Sequence, residues 1–552
     1  MRTESVSMSR GATHEVFNQS PPYGGINLFE ADPLINSAAA GFPDSVRNEL
    51  SDLGGFWGTH EAREFARLAN RNTPTLERYD SKGHRIDQVL FHPAYHALMR
   101  RSMMAGLHCS SFDRREEEAG LRHRARAVRL YLTAQTECGH LCPMTMTNAA
   151  LASLKSAPDL LGTWAPRILS RQYDHNFRPA EEKRSVTIGM GMTEKQGGSD
   201  VAANTTRGER GEDGLYTITG HKWFFSAPMS DAFLVVAQTE AGPTCFLMPR
   251  FLPDGSRNAI HLERLKDKLG NRSNASAEVE FHGAGAWRVG GEGRGIATIL
   301  EMVALTRLDC AIASTGLMRA GLAEAVHHAR HRSVFGKTLV DQPLMLRVLS
   351  DLALDYSAAL ALSLRLAEAY DMAEEQPNEA AYARLLNPAV KYWVCKTAPT
   401  FLAEAMECLG GNGYIEESAL PRLYREAPVN AIWEGSGNIM ALDVVRALKG
   451  EGILDQALET IGSELGGGSK AAVDVLRAAA GVASEDPGSA RILTEQLALT
   501  AAAAALRRDF PAAFADAFIE TRLGRPWRST YGMIDSRFDT RALIDYVAPA
   551  ML

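Results

Sequence analysis

Three short segments of this 552-residue chain combine glycine with side chains that could do chemistry. The first, Met190-Gly-Met-Thr-Glu-Lys-Gln-Gly-Gly-Ser-Asp200, follows a predicted strand, and its glycines let backbone amides approach an anionic or planar ligand closely. The second, Gly220-His-Lys-Trp-Phe-Phe-Ser226, places aromatic side chains on both faces of a strand end, which leaves one face free to cover a flat ring. Both also fit a simpler interpretation, in which the first is a tight turn and the aromatic residues pack in a core.

The third segment, Ala431-Ile-Trp-Glu-Gly-Ser-Gly-Asn438, contains a candidate general base. Glu434 lies between Trp433 and a glycine turn, where loss of water would raise the pKa of its carboxyl group and suit it to accept a proton. A solvated loop glutamate is the alternative. Cys138-Gly-His-Leu-Cys142 has a metal-like spacing, but no second pair of ligands follows it, so helix packing is favoured.

The elements that must position these segments change along the chain. Residues 1 to about 35 predict an irregular arm, and helical spacing dominates from about Ser45 to Arg171. The pattern then changes to short β-branched or alternating segments separated by Gly, Asp and Asn, which predicts strands. These segments are 185–190, 215–219, 233–237 and 277–281.

Helical spacing returns after the glycine run 290–295 and continues to about Lys449. The glycine run predicts a loop between domains, because the parallel strand and the acidic residue of a dinucleotide site do not follow it at the required spacing. The last hundred residues are rich in Ala and again helical. We therefore expect four domains: an arm with helices (1–180), a β-rich domain (181–290), a helical domain (291–450) and an extra helical domain (451–552).

Composition narrows the classes of function. The formal net charge is −7, so no global attraction to nucleic acid or to an anionic membrane is expected. Seven scattered cysteines, an odd number, favour reduced thiols in a cytosolic protein. The N-terminus lacks the apolar core of a secretory signal, and the most apolar stretch, Leu497–Leu506, is too short to span a bilayer. We expect a cytoplasmic protein with no membrane partner.

The three segments and two further elements resemble, in order, the motifs of the acyl-CoA dehydrogenase family between about residues 90 and 450. The flavin-loop pattern T-E-x-x-x-G-S-D is matched at 193–200, and the G-x-K-x-x-x-[ST] strand at 220–226. Arg332-Ser-Val-Phe-Gly-Lys337 with Gln342 is similar to the family's R-x-x-F-G…Q element. Residues 407–414 resemble its Q-x-x-G-G-x-G-Y element, with Glu407 where Gln is usual. Five elements in the right order make the resemblance specific.

A closer resemblance is to the AidB-type alkylation-response branch of this family. Residues 189–200, 263–275 and 432–440 are similar to that branch almost residue for residue. The resemblance implies an α+β, mainly α, acyl-CoA dehydrogenase fold. A helical domain, a β-barrel and a four-helix domain are followed by an extra C-terminal helical domain. It also implies bound FAD and a homotetramer.

The resemblance assigns roles to individual residues around the flavin. Thr193 would bond the pyrimidine side and Ser199 the pyrophosphate, and Ser226 would lie near N5. The remaining cofactor-binding residues that the family motifs imply are Phe224 and Phe225, which would line the ring; Arg332, Phe335 and Gln342, which would hold the adenosine end of a neighbouring subunit's FAD; Ile432, Gly435, Ser436 and Asn438, which would close the site; and Met190, Gly198 and Gly411, which are assigned to no particular part of FAD.

The family reaction removes an α-proton from an acyl thioester while a β-hydride goes to the flavin, and an electron-transfer acceptor then reoxidises it. Glu434 occupies the family's common base position. Some members carry the base just before an Arg on an earlier helix, where this chain has Thr306 before Arg307, so the alternative base is absent.

A second candidate function is that of a DNA-associated protective flavoprotein that binds double-stranded DNA through its C-terminal region. Residues 451–552 nevertheless contain ten Lys and Arg against fourteen Asp and Glu. Arg507-Arg508 and Arg522, Arg525 and Arg528, the last three flanking Trp527, form the local basic clusters there.

Overall fold

The computed structural model describes residues 13–212, 214–467, 469–524 and 537–549. The chain is mainly helical with one larger sheet, as the sequence predicts. The first part is helical with one small hairpin. Its elements are α1 (Pro33–Ala38), α2 (Asp44–Trp57), α3 (His60–Arg71), β1 (Thr75–Tyr79), β2 (Arg85–Leu90), α4 (Pro93–Met104), α5 (Arg122–Ala134), α6 (Leu141–Leu154) and α7 (Pro158–Ile168).

The hairpin β1–β2 corrects the prediction of continuous helical spacing from Ser45 to Arg171. Its turn is set by the Asp80 carboxylate, which accepts backbone bonds from Lys82 and His84, while Gly83 takes a φ of 86°. Such a turn closes a hairpin locally, whatever helical propensity surrounds it.

The middle part is a closed seven-stranded sheet. Its strands are β3 (Ile188–Gly191), β4 (Arg207–Arg210), β5 (Tyr216–Ser226), β6 (Ala232–Thr239), β7 (Gly242–Pro249), β8 (Ile260–Leu265) and β9 (Ser276–Val289). They run in the order β3-β6-β4-β5-β9-β7, with β8 paired to β9, and pairing of β6 with β7 closes the sheet. All four predicted strands lie among them, and aromatic side chains fill the interior.

Long helices follow the sheet. The first is α8 (Gly295–His331), so the glycine run before it is a connecting loop, as predicted. The elements after it are β10 (Ser333–Val334), β11 (Lys337–Thr338), α9 (Pro343–Met372), α10 (Pro377–Glu407), α11 (Gly411–Tyr414), α12 (Leu420–Asn430), α13 (Gly437–Ala447), α14 (Ile453–Leu465), α15 (Ser469–Glu485), α16 (Ala490–Asp509), α17 (Ala512–Phe518) and α18 (Thr540–Val547). Apolar faces of the first and third parts share one continuous core.

A buried ion pair fixes the loop after β3 to strand β5. The Lys222 ammonium donates to the Glu194 carboxylate at 2.8 Å, and both side chains are fully buried. Glu194 also accepts bonds from the backbone of Thr205 and Thr206. Burial alone would raise the pKa of Glu194, but the Lys222 cation and these bonds outweigh it and hold that pKa well below its usual range. The acid and the lysine of the two motifs therefore have a structural role.

We expect Lys222→Met to loosen this loop, because the substitution leaves the Glu194 charge buried without its cation. Breaking one half of a buried pair costs about 3–5 kcal/mol, so amide exchange of residues 193–206 should accelerate by two orders of magnitude or more. Lys195→Met, on the exposed side of the same loop, is the control and should leave exchange unchanged. Wild-type exchange in Lys222→Met would contradict the account.

Candidate active site

Glu434 lies in a six-residue turn that joins α12 to α13. Its backbone φ is 58° and that of Gly435 is 107°, both in the left-handed region. For a residue with a side chain this conformation costs about 1–2 kcal/mol, so tertiary contacts must hold the turn. One such contact reaches the carboxylate itself: the Thr306 hydroxyl of α8 donates to Glu434 Oε2 at 2.7 Å.

The environment of Glu434 makes it a better base than an ordinary glutamate. Burial raises the pKa of its carboxyl group, and the charge of Asp309 adds to this effect. The Thr306 bond and the cations of Arg307 and Lys391 act in the opposite direction without reversing the shift. A carboxylate with a raised pKa is suited to accept a proton from a weakly acidic donor.

The predicted flavin loop has the form of a ligand cradle. A Cβ atom at position 198 would come within 2.4 Å of Thr193 Oγ1, so only glycine fits there. Within the described residues, no hydrogen bond engages the hydroxyl groups of Thr193, Ser199 or Ser436. Three polar side chains are thus free to bond a polar ring edge or a phosphate, which fits the predicted cofactor.

Strand β5 exposes the Phe224 side chain and buries the Phe225 side chain. Phe224 is 51% exposed, so it can cover a flat ring. Phe225 corrects the prediction that both phenylalanines line the ring: its side chain points into the barrel and packs against Phe233 and Phe281. The alternation of side chains along a strand requires this difference. Ser226 Oγ lies 3.3 Å from the Ser276 hydroxyl at the end of the strand.

Cys142 at the start of α6 lies where the three segments meet. It belongs to an apolar cluster whose margin includes Met190 on β3 and Trp433 beside the base. Burial raises the pKa of its thiol to about 12. The structure thus brings the flavin loop, the end of β5 and the Glu434 turn together, while Ile432 is exposed at their edge.

The other predicted cofactor residues lie elsewhere. Arg332 and Phe335 sit on the β10–β11 hairpin, where Arg332 Nη1 donates to the Asn18 carbonyl at 2.6 Å and the Phe335 side chain is 99% exposed. Gln342 donates to the Val334 carbonyl, and Gly411 opens the short helix α11. No hydrogen bond or ion pair in the described ranges joins these residues to the Glu434 turn.

Several residues around the site escaped the sequence-based predictions. In the sequence Thr306 marks only the place of an absent alternative base, yet in the structure it bonds the base that is present. Lys268 donates to Ser276 Oγ at 3.1 Å, and burial lowers the pKa of its ammonium to about 8. The polar pair Thr306-Arg307 on α8 is the sequence signal that indicates the Thr306–Glu434 bond. Of the possible metal clip, His140 bonds Glu137 and Ser102.

The described arginines of the predicted C-terminal basic clusters pair with carboxylates of the same chain. Arg507 pairs with Asp516, and Arg508 with Asp509 and Glu368. Arg522 is buried against Asp351 and Asp355. Arg525, Trp527 and Arg528 lie outside the described residues. The described part of these clusters therefore offers little free positive charge to a phosphate backbone.

The chain belongs to the acyl-CoA dehydrogenase family. Residues 18–175 match the model described as the adaptive response protein AidB N-terminal domain. Residues 189–284 match the acyl-CoA dehydrogenase middle domain, and residues 293–449 match the acyl-CoA dehydrogenase C-terminal domain. The predicted family, fold class and FAD dependence are confirmed, and the chain is an oxidoreductase of the class that acts on CH–CH groups.

Particular relatives place it in the AidB-type branch. The chain is 52% identical to AidB of Escherichia coli (strain K12) over 449 residues, which cover 80% of this chain and 82% of that protein. It is 31% identical to acyl-CoA dehydrogenase family member 11 of Caenorhabditis elegans, covering 77% and 71%. The solved structure of C. elegans ACDH-11 in complex with C11-CoA superposes with a TM-score of 0.81 at 26% identity, over 100% of this chain and 95% of that one.

A second solved structure, the apo-form of Bd2924, superposes with a TM-score of 0.82 at 28% identity and covers 89% of this chain and 99% of that one.

Among the described residues no helix is both long and apolar enough to cross a membrane.

We expect Thr306→Val to shift the pH dependence of flavin reduction upward. The base works when deprotonated, and loss of the Thr306 donor raises the Glu434 pKa further, so more alkaline conditions are needed. A bond to a charged group contributes about 1.5–3 kcal/mol, which corresponds to a shift of about one pH unit or more. Thr315→Val, also buried on α8, is the control, because its hydroxyl bonds only within that part of the fold. Identical acid limbs for Thr306→Val and wild type would refute the role.

Proposed function

We propose that this chain oxidises an acyl thioester, with Glu434 as the base that removes the α-proton. The observation that carries the proposal is the Glu434 carboxylate, which accepts a bond from Thr306 and directly follows Trp433, a residue that packs against the same apolar cluster as Met190 of the flavin strand. The proton α to a thioester is weakly acidic, so its removal needs a base with a raised pKa and stabilisation of the enolate.

The residues that would hold FAD follow from the free donors and the open aromatic face. Thr193 would bond the ring edge, Ser199 the pyrophosphate, and Phe224 would cover the ring, with Ser226 beside its centre. Ile432 and the turn residues Gly435, Ser436 and Asn438 would close the site. FAD supplies the hydride acceptor of the family's reaction, and a separate electron acceptor would take the electrons onward.

An acyl-CoA is the substrate class that the comparisons favour. The structural neighbour ACDH-11 was solved with C11-CoA, and it covers the whole of this chain. Half-buried Trp433 stands directly before the base, with its indole nitrogen donating to the Asn430 side chain at 3.0 Å. This fixed ring would narrow the space next to Glu434 and thereby limit which acyl groups react quickly.

A homotetramer is part of the proposal. Phe335, Leu344 and Tyr414 are large apolar side chains, each more than three-quarters exposed, on or near the elements whose family counterparts contact a neighbouring subunit. Arg332, Gln342 and Gly411 would then serve the adenosine end of FAD across that contact. We also propose the four-domain division and a cytoplasmic location.

The DNA-protective alternative is not favoured. The family match and the geometry at Glu434 both support thioester chemistry, whereas Arg507, Arg508 and Arg522 of the C-terminal basic clusters pair with carboxylates. We therefore put forward the oxidoreductase alone.

Glu434→Gln separates chemistry from binding. The amide keeps the shape of the side chain but cannot take a proton, so flavin reduction by a reactive acyl-CoA should fall by roughly 10²-fold or more, while FAD stays bound. Anaerobic titration with acyl-CoAs of different chain lengths, followed by flavin absorbance, provides the measurement. Glu417→Gln is the control, because Glu417 is an exposed carboxylate in the loop before α12. Equal reduction rates for Glu434→Gln and wild type would remove Glu434 from the mechanism.

A further inference from the structure

Two cations bind three consecutive backbone carbonyls of the turn that carries Glu434. Lys391 Nζ donates to the Trp433 carbonyl at 2.8 Å and to the Gly435 carbonyl at 2.5 Å. Arg307 Nε donates to the carbonyl of Glu434 itself at 3.0 Å. We call this set of three bonds the carbonyl clamp.

We propose that Lys391 and Arg307 are positioning residues for the base: through the carbonyl clamp they hold the strained turn so that the Glu434 carboxylate keeps one orientation in the site. The inference rests on the proposed function and extends it to two residues that the sequence analysis gave no role in the site.

The clamp joins the turn to two long helices. Arg307 lies on α8, one position after Thr306, and Lys391 lies on α10. Arg307 is fixed at its other end, because Nη1 donates to Asp443 Oδ2 on α13 at 2.6 Å. Asp443 in turn accepts a bond from Arg384 of α10 at 3.0 Å. The turn is thus held from α8 and α10, and its clamp is braced by the helix that follows it.

The burial of Lys391 shows that the clamp is a built feature. The lysine is 1% exposed, and within the described ranges no carboxylate lies at ion-pair distance from it. A buried ammonium is costly unless its protons are bonded, and here two carbonyls of the base turn accept them. Those bonds stabilise a backbone that includes two left-handed residues in succession, Glu434 and Gly435.

The choice of carbonyls as acceptors suits a base. A cation bonded directly to a carboxylate stabilises the anion and makes it a weak base, as Lys222 does to Glu194. In the clamp the same kind of cation grips the backbone, while the carboxylate receives a bond from the neutral hydroxyl of Thr306. The cations still lower the pKa of Glu434, but less than burial raises it, so the turn is held in position while the carboxylate keeps a raised pKa.

Lys391→Met tests the clamp through the pH profile of flavin reduction. The charged and titratable groups that act on Glu434 or feel its charge are Arg307, Lys391, Asp309, Cys142 and Cys310. Loss of the Lys391 cation removes one influence that lowers the Glu434 pKa, so the acid limb should move to higher pH. We also expect the limiting rate to fall about tenfold or more, with KM changed by no more than about twofold, and Lys391→Arg to restore most of the rate.

A second readout does not need turnover. Amide exchange of residues 431–436 should accelerate about tenfold in Lys391→Met, both in the FAD-loaded and in the FAD-free chain. Lys396→Met is the matched control: this lysine lies on α10 too, but its ammonium sits 5.5 Å from the Tyr392 ring centre and contacts no turn carbonyl. It should leave exchange and pH profile as in wild type.

The outcomes are separable. A wild-type pH profile and wild-type exchange in Lys391→Met would overturn the clamp, even if the variant melts at a lower temperature. If Lys391→Met does not fold, Asp443→Asn decides, because it frees the braced end of Arg307 and should accelerate exchange of 431–436 about threefold; unchanged exchange would overturn the proposal. If no acyl-CoA reduces the wild-type flavin, the proposed function is wrong. The clamp is then tested by the amide-exchange measurement alone.

Discussion

The half-buried carboxylate of Glu434 is the constraint around which the rest of the site is arranged. A base for a weakly acidic C–H bond must be kept from water, yet a carboxylate without water must receive other bonds. Here the Thr306 hydroxyl supplies one bond, and two cations hold the backbone on either side. The long helices α8 and α10 are needed because these partners come from points more than eighty residues apart in sequence.

A buried carboxylate elsewhere in the same protein shows how direct contact with a cation changes the pKa of a glutamate. Glu194 bonds the Lys222 ammonium directly, which holds its pKa low and makes it a fixed structural anion under the flavin loop. Glu434 has cations nearby, but they bind carbonyl groups, so burial prevails and its pKa is raised. The same residue type thus anchors a loop in one place and is suited to proton transfer in the other.

The sequence predicted the strands, the long helices and the family because those depend on local spacing and on short motifs. It could not separate Phe224 from Phe225, since only the register of β5 decides which ring faces the barrel interior. It missed the hairpin β1–β2, where a four-residue turn interrupts a helical region. The roles of Lys391 and of the free Ser436 hydroxyl depend on α8, α10 and the turn folding together, which no local pattern encodes.

The central claim is that the Glu434 carboxylate moves the α-proton of an acyl thioester. Its most direct measurement is mass spectrometry of a saturated acyl-CoA incubated anaerobically in D₂O with the FAD-loaded protein. A proton held by a side chain exchanges with solvent, so wild type should introduce deuterium at the α-carbon, and Glu434→Gln should introduce essentially none. Equal incorporation by both proteins, or none by a wild type whose flavin the same acyl-CoA reduces, would contradict the claim.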